Sequence, residues 1–124
     1  MAWDTNIINM DEALSRVLGR KELYKGWLDS FFRDENFTPV AEAFEKKDRE
    51  ELRLALHKIK GTAGNLSVTT VFNQSLKIST SVKAGEDLDG LSGEIEKLKN
   101  DFYEAKKMYE ENANALIHYG EISF

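Results

Sequence analysis

The sequence contains no cysteine and a single proline among its 124 residues. Without cysteine the chain has no disulfide framework, no thiol nucleophile and no zinc site built on thiolates. One proline leaves long stretches that are free to form helices. No apolar run approaches the roughly 20 residues of a membrane span, and the acidic N-terminus lacks the basic region of a secretory signal. We therefore expect a cytoplasmic protein that has no membrane segment.

Positive charge is in the minority, since 17 Lys and Arg stand against 22 Asp and Glu and give a formal net charge of -5. An acidic chain without a basic stripe is a poor ligand for phosphate backbones, so we expect no nucleic-acid partner. The length is that of one domain. Because the chain shows no linker, repeat or low-complexity tract, we treat residues 1–124 as a single domain, and we expect a monomer.

Hydrophobic periodicity predicts helices along most of the chain. Capping-box spacings, in which Asn or Asp precedes Glu by three positions, predict helix starts at Asn9 and Asp48, and Thr38-Pro39 predicts another. Helices are predicted over about residues 10–19, 20–33, 38–44, 48–66, 68–85 and 91–116. Amphipathic helices joined by short loops indicate an all-α fold, an antiparallel up-and-down four-helix bundle with additional short N-terminal helices.

The second, fourth and fifth of these helices each have a predicted apolar face that is directed toward the core. In the second helix the inward residues are predicted to be Leu23, Trp27, Leu28, Phe31 and Phe32. In the fourth they are Leu52, Leu56, Ile59, Ala63 and Leu66. In the fifth they are Val68, Val71, Phe72, Leu76 and Val82. On a wheel of about 100° per residue, His57 points roughly 140° away from the centre of the fourth helix's stripe, toward solvent.

The neighbours of His57 on this solvent face are Arg53, Lys60, Gly61 and Gly64. Glycine within a helix costs roughly 1 kcal/mol relative to alanine. One interpretation is that the two glycines clear space for a partner or a phosphoryl group at the imidazole; the alternative is close helix packing or a bend. Lys60, one turn away, could bind a phosphoryl oxygen as a mobile cation, or it could simply aid solubility. The combination favours the first interpretation.

The run LHKIKGTAGNL, from Leu56 to Leu66, resembles the active-site helix of histidine-containing phosphotransfer (HPt) domains. The resemblance spans about residues 7–85, and the final helix is similar only in being long and amphipathic. It implies a four-helix bundle in which His57 accepts a phosphoryl group from a receiver-domain aspartate and passes it to another response regulator. Lys60 would neutralise the phosphoryl charge, Gly61 and Gly64 would admit the receiver, and Thr62 occupies a position where the family often has a small or hydroxylated residue.

Two positions depart from the family pattern. Ser67 stands where many members have a glycine that ends the motif, so the end of this helix is expected to differ in shape. On the following helix many members carry a glutamine or another polar residue that hydrogen-bonds the histidine. We assign that role to Ser79, with Lys83 one turn further as a second cation.

The resemblance also implies the partners, which are response-regulator receiver domains and a sensor or hybrid histidine kinase. The chain lacks a GxxxxGK[ST] loop for ATP, so we expect a covalent phosphocarrier, not an enzyme that acts alone, with no metal or cofactor of its own and Mg²⁺ supplied by the receiver. Exposed apolar residues near His57 are expected to dock the receiver, namely Leu54 with Val17 or Leu14. Leu54 could equally be a stray surface leucine.

Three alternatives stay open at this point. The chain could be a silent helical module that binds receivers without phosphoryl transfer, or an HPt domain excised from a hybrid or chemotaxis-type kinase. A metal enzyme is disfavoured, because the only other histidine is His118 and no HExxH or EF-hand spacing occurs. Residues 113–124 are expected either to pack on the bundle or to mediate a contact.

Overall fold

The computed structural model describes residues 3–120. Its helices are α1 (Met10–Arg16), α2 (Lys21–Arg33), α3 (Thr38–Glu45), α4 (Arg49–Asn65), α5 (Thr69–Lys83) and α6 (Ser92–Leu116), and a 3-10 turn, Leu88–Leu91, precedes α6. Helices α2, α4, α5 and α6 form the predicted antiparallel bundle, with α1 packed on α2 and α3 on α4. The described part of the chain contains no strand and no helix with the length and apolarity of a membrane span.

Two predicted helix starts are confirmed in their hydrogen bonds. The side chain of Asn9 accepts from the backbone N–H of Glu12 at 3.2 Å, and that of Asp48 accepts from Glu51 at 3.0 Å. Each satisfies an N–H group that has no partner within the helix. The start of α3 lies one residue earlier than predicted, because Phe37 is its N-cap.

The core confirms the stripe predicted for α4, since all five of its apolar residues are buried. On α2 the prediction was partly wrong: Leu23 and Trp27 are 41% and 46% exposed, and Tyr24 is buried in their place. The Tyr24 hydroxyl donates to the carbonyl of Leu66 at 2.5 Å. This hydrogen bond satisfies the polar end of the ring, so a tyrosine can occupy the inner position.

The inner face of α5 is more polar than its sequence pattern predicted. Leu76 is 43% exposed, whereas Gln74, Ser75 and Ser79 are buried. Gln74 donates through its amide to the backbone carbonyl and the carboxylate of Glu94 on α6, at 3.0 and 2.7 Å. A buried amide is tolerated here because its donors have partners.

The turn after α4 has the geometry that usually calls for glycine. Ser67 has a φ of 58°, and the next N–H, of Val68, donates to the Ala63 carbonyl at 2.9 Å. This is the left-handed closure by which many helices end. Ser67 therefore has a backbone conformation that glycine favours, and the expected difference in the shape of this helix end stays a prediction.

The N-terminal segment holds this turn in place. The N–H of Asn9 donates to the Ser67 carbonyl at 2.9 Å, and the N–H of Thr69 donates to the Ile7 carbonyl at 2.8 Å. From α1, Arg16 donates to the Gly64 carbonyl. A cation at a helix C-terminus is favourable because the last carbonyls carry partial negative charge. The C-terminal end of α4 is thus fixed by residues some 50 positions earlier in the chain.

Candidate functional site

The exposed side of α4 carries His57 near the middle of the helix, as predicted. Among residues 3–120 the imidazole has no hydrogen-bond or ion-pair partner. Helical side chains lean toward the N-terminus of their helix, so we expect the ring over the turn that carries Arg53 and Leu54. A histidine whose ring nitrogens have no partner is available as a nucleophile.

Two cations flank His57 along the helix, and their environments differ. Lys60 is half-buried and has no ion pair within the described part of the chain, and its lean toward the N-terminus directs the ammonium back toward His57. Arg53 donates to both carboxylate oxygens of Glu50, at 3.0 and 2.6 Å. These hydrogen bonds lower the pKa of the Glu50 carboxyl and raise that of the Arg53 guanidinium.

The two glycines of the site have different environments. A Cβ atom added at Gly61 would meet nothing within 4 Å, so this position faces open space. One added at Gly64 would lie 3.0 Å from Cδ1 of Phe72 on α5. Close helix packing, the alternative stated above, therefore explains Gly64, and the expectation that it clears space for a partner is corrected. Clearance stays a prediction for Gly61 alone.

Two further predicted site residues, Leu54 and Thr62, lie on the same side of α4, about 60° and 140° round the helix from His57. Thr62 donates its hydroxyl to the carbonyl of Lys58 at 3.0 Å, so the hydroxyl is engaged with its own helix. Leu54 is 52% exposed and lies about 60° round the helix from His57. It leaves a free apolar side chain beside the imidazole.

The assignments on α5 are not supported. Ser79 is buried and makes no hydrogen bond to His57. Lys83 is the last residue of α5, and the carbonyl that precedes it, of Val82, accepts from Arg49 at the start of α4 at 2.9 Å. The backbone positions of Arg49 and His57 are about 12 Å apart along the axis of α4, and no hydrogen bond or ion pair joins Lys83 to His57. Neither side chain joins the site.

An apolar groove beside α4 was missed by the sequence analysis. It has a volume of about 830 Å³ and lies between α1, α2 and α4, and Pro39 of α3 also lines it. Exposed apolar side chains (Leu18, Leu23 and Trp27) line it together with the cations Arg16 and Arg20. Helix α4 contributes three residues, Lys58, Thr62 and Asn65. The three α4 residues lie about 80–140° round the helix from His57, all on one side. His57 therefore stands on the ridge between this groove and α5.

The sequence pattern of α2 indicates an apolar surface here but predicts that it belongs to the core. Leu23 and Trp27 fit a helical apolar stripe, and periodicity alone does not say which of two adjacent stripes is buried. Within residues 3–120 no group of three or more His, Asp or Glu residues is placed to hold a metal ion. The site combines an imidazole, nearby cations and an apolar flank.

Comparisons with known proteins agree with this geometry. The family model "Hpt domain" matches residues 31–108. A crystal structure described as the HPT domain from the Hpt sensor hybrid histidine kinase from Shewanella superposes with a TM-score of 0.66, covers 87% of this chain and 97% of that one, and is 21% identical in sequence. At that identity the likeness shows the fold. Comparison with curated protein sequences gives no match.

Proposed function

Because this chain belongs to the Hpt domain family, we propose that it is a phosphorelay carrier in which His57 accepts a phosphoryl group from a receiver-domain aspartate and passes it to a second receiver. Membership of the family makes it a phosphotransfer module of two-component systems, whose members interact with kinases and receiver domains. The observation that carries the assignment to His57 is its exposed imidazole in the middle of α4, which has no partner among residues 3–120.

The transfer forms one bond and breaks another. A ring nitrogen of neutral His57 attacks the phosphorus of the aspartyl phosphate, the N–P bond forms, and the O–P bond breaks to leave the aspartate carboxylate. Delivery to the next receiver reverses these steps. Positioning and charge neutralisation dominate such a reaction. Lys60 supplies a cation to the phosphoryl oxygens, the open surface at Gly61 admits the donor, and the receiver supplies Mg²⁺.

The groove between α1, α2 and α4 is proposed as the docking surface of the receiver. Contiguous exposed apolar residues mark interaction surfaces, and Leu23 and Trp27 provide one within reach of the His57 ridge. Val17 and Leu14 are both half-buried against the core, but of the two Val17 lines this groove and Leu14 does not. The proposal is that an apolar helix of the receiver occupies the groove while its phosphoaspartate meets the imidazole.

Incubation with a phosphorylated receiver tests the assignment of His57. The wild type should acquire an acid-labile phosphoryl label that a His57→Gln variant does not acquire. His118→Gln is the matched control, because it removes the other histidine of the chain and should be labelled like the wild type. Equal labelling of His57→Gln and the wild type, or no label on either, would contradict the proposal.

A further inference from the structure

One turn before His57, Arg53 is engaged by both carboxylate oxygens of Glu50. We propose that Arg53 is a second phosphoryl-binding cation, which Glu50 holds while His57 is unmodified and which moves to the phosphoryl group once His57 carries one. The inference rests on the proposed function of His57. It adds an exchange of ion-pair partners along one face of α4.

The spacing places Arg53 between the carboxylate of Glu50 and the residue proposed to carry the phosphoryl group, His57. Glu50 lies three residues before it and His57 four residues after it, and residues at these spacings are neighbours on a helix, with Cβ atoms about 5–6 Å apart. The imidazole leans toward the N-terminus of α4, over the turn of Arg53. A phosphoryl group on the ring is therefore brought over the turn that carries Arg53, on the side of that residue opposite Glu50.

The charges favour the exchange. The Arg53 and Glu50 side chains are 40% and 66% exposed, and ion pairs in such surroundings contribute little to stability. A phosphoryl group carries close to two negative charges and three acceptor oxygens, and a guanidinium binds it through two hydrogen bonds. The stronger acceptor should therefore displace the carboxylate.

Lys60 does not undergo this change. Its ammonium has no partner among residues 3–120, so it is available whether or not His57 is modified. Arg53, by contrast, has its charge compensated by Glu50 until a second anion is present. The two cations therefore make different contributions: Lys60 to the arrival of a phosphoryl group, and Arg53 to its retention.

The equilibrium constant for phosphoryl exchange between His57 and a receiver aspartate tests this role. It is measured from both directions at concentrations at which the two proteins are mostly apart, so a docking defect alters rates but not the constant. Arg53→Ala should shift it about three- to tenfold toward the receiver, and Arg53→Lys less. Glu50→Gln should shift it toward His57. Arg33→Ala is the matched control, because it removes an exposed arginine of α2 that pairs with Asp34. This variant should leave the equilibrium constant unchanged.

Two measurements separate direct contact from a structural effect. In Arg53→Ala the pKa of the phosphoryl group, followed by ³¹P NMR, should rise because a nearby cation favours the dianion. The double variant Glu50→Gln/Arg53→Ala should match Arg53→Ala, since Glu50 acts through Arg53. An effect of Glu50→Gln that persists without Arg53, or an Arg53→Ala variant with an unchanged equilibrium constant and ³¹P titration, would overturn the inference.

Failure of the proposed function gives a different result. Phosphoramidate, a small phosphoryl donor, should label His57 in the wild type without any receiver. Absence of that label would sink the carrier function itself, whereas labelling together with an equilibrium constant that does not depend on Arg53 would sink the exchange alone.

Discussion

Gly64 of α4 packs on the ring of Phe72 of α5 so closely that a Cβ atom there would lie 3.0 Å from Cδ1. Gly61, one turn earlier, has nothing within 4 Å of the same position. Glycines three residues apart in one sequence motif therefore do different things. Gly61 leaves the surface open beside His57, and Gly64 lets two helices of the bundle approach each other.

Alanine at these two positions should have opposite effects on stability. Gly61→Ala should raise the free energy of unfolding by about 0.5–1 kcal/mol, because alanine favours the helix and meets no neighbour. Gly64→Ala should lower it by about 1 kcal/mol, since displacement of Phe72 outweighs the same gain. Urea denaturation measures both. Gly64→Ala in a Phe72→Leu background should recover part of the loss; no recovery would show that the ring is not the obstacle.

A second measurement on Gly61→Ala examines access to His57. If the open surface admits a receiver, the more stable variant should accept phosphoryl groups more slowly from a receiver and at the normal rate from phosphoramidate. A normal rate from both donors would contradict the clearance assigned to Gly61.

Ser67 offers a comparison between backbone strain and side-chain hydrogen bonds. Its hydroxyl donates to Glu12 at 2.7 Å and accepts from Arg16 at 3.2 Å, at a φ of 58°. Ser67→Ala loses these bonds and keeps the strain, while Ser67→Gly loses the bonds and relieves about 1–2 kcal/mol of strain. Ser67→Gly should therefore be more stable than Ser67→Ala by about 1 kcal/mol. At Ser81, within α5, the order should reverse, and thermal or urea unfolding of all four variants checks both orders.

Because the Tyr24 hydroxyl is buried, we expect the protein to lose stability in alkali. Burial raises the pKa of its hydroxyl above the usual value of about 10, and burial followed by the hydrogen bond to Asp29 raises that of Tyr109. The folded state therefore retains protons that the unfolded state releases, so the stabilisation is complete below about pH 10 and declines as the pH rises above it. Tyr24→Phe should make this decline shallower in urea titrations across about pH 9 to 11. An unchanged slope would contradict the assignment.

Trp27 should affect recognition of the receiver and not the chemistry of His57. Trp27→Ala should raise the KM for phosphoryl transfer from a receiver by about tenfold or more, as loss of an aromatic anchor does in other interfaces. Labelling by phosphoramidate should be unchanged. Leu76→Ala is the matched control, because Leu76 is similarly exposed but lies on α5, outside the groove. Equal KM values for both variants would remove the groove from the docking surface.

The parts of the fold that were predicted correctly are set by local rules. The caps at Asn9 and Asp48 and the stripe of α4 depend on neighbours three or four residues away, and those spacings are readable in the sequence. His57 was placed correctly for the same reason, since its exposure follows from the direction of the stripe. The Hpt family match then agreed with the resemblance that its helix suggested.

The errors concern contacts between distant segments. Gln74 is tolerated in the interior because it donates a hydrogen bond to Glu94, and Tyr24 because it donates one to the Leu66 carbonyl. Neither acceptor is near its donor in the sequence. The polar partner of His57 predicted at Ser79 was wrong because α5 turns that side chain inward. No periodicity of a single helix contains this information.

Backbone hydrogen bonds join residues 7–9 to the turn at Ser67 and Thr69. A fragment that keeps these bonds must therefore include residues 7–9 at its N-terminal end. A fragment trimmed to the matched residues 31–108 would keep His57 but lose these bonds, Arg16 at the end of α4 and the tyrosine that caps Leu66. Such a fragment should have an open C-terminal turn in its active helix, visible as rapid amide exchange at Ser67 and Val68. The folding unit therefore extends beyond residues 31–108, which the family model matches.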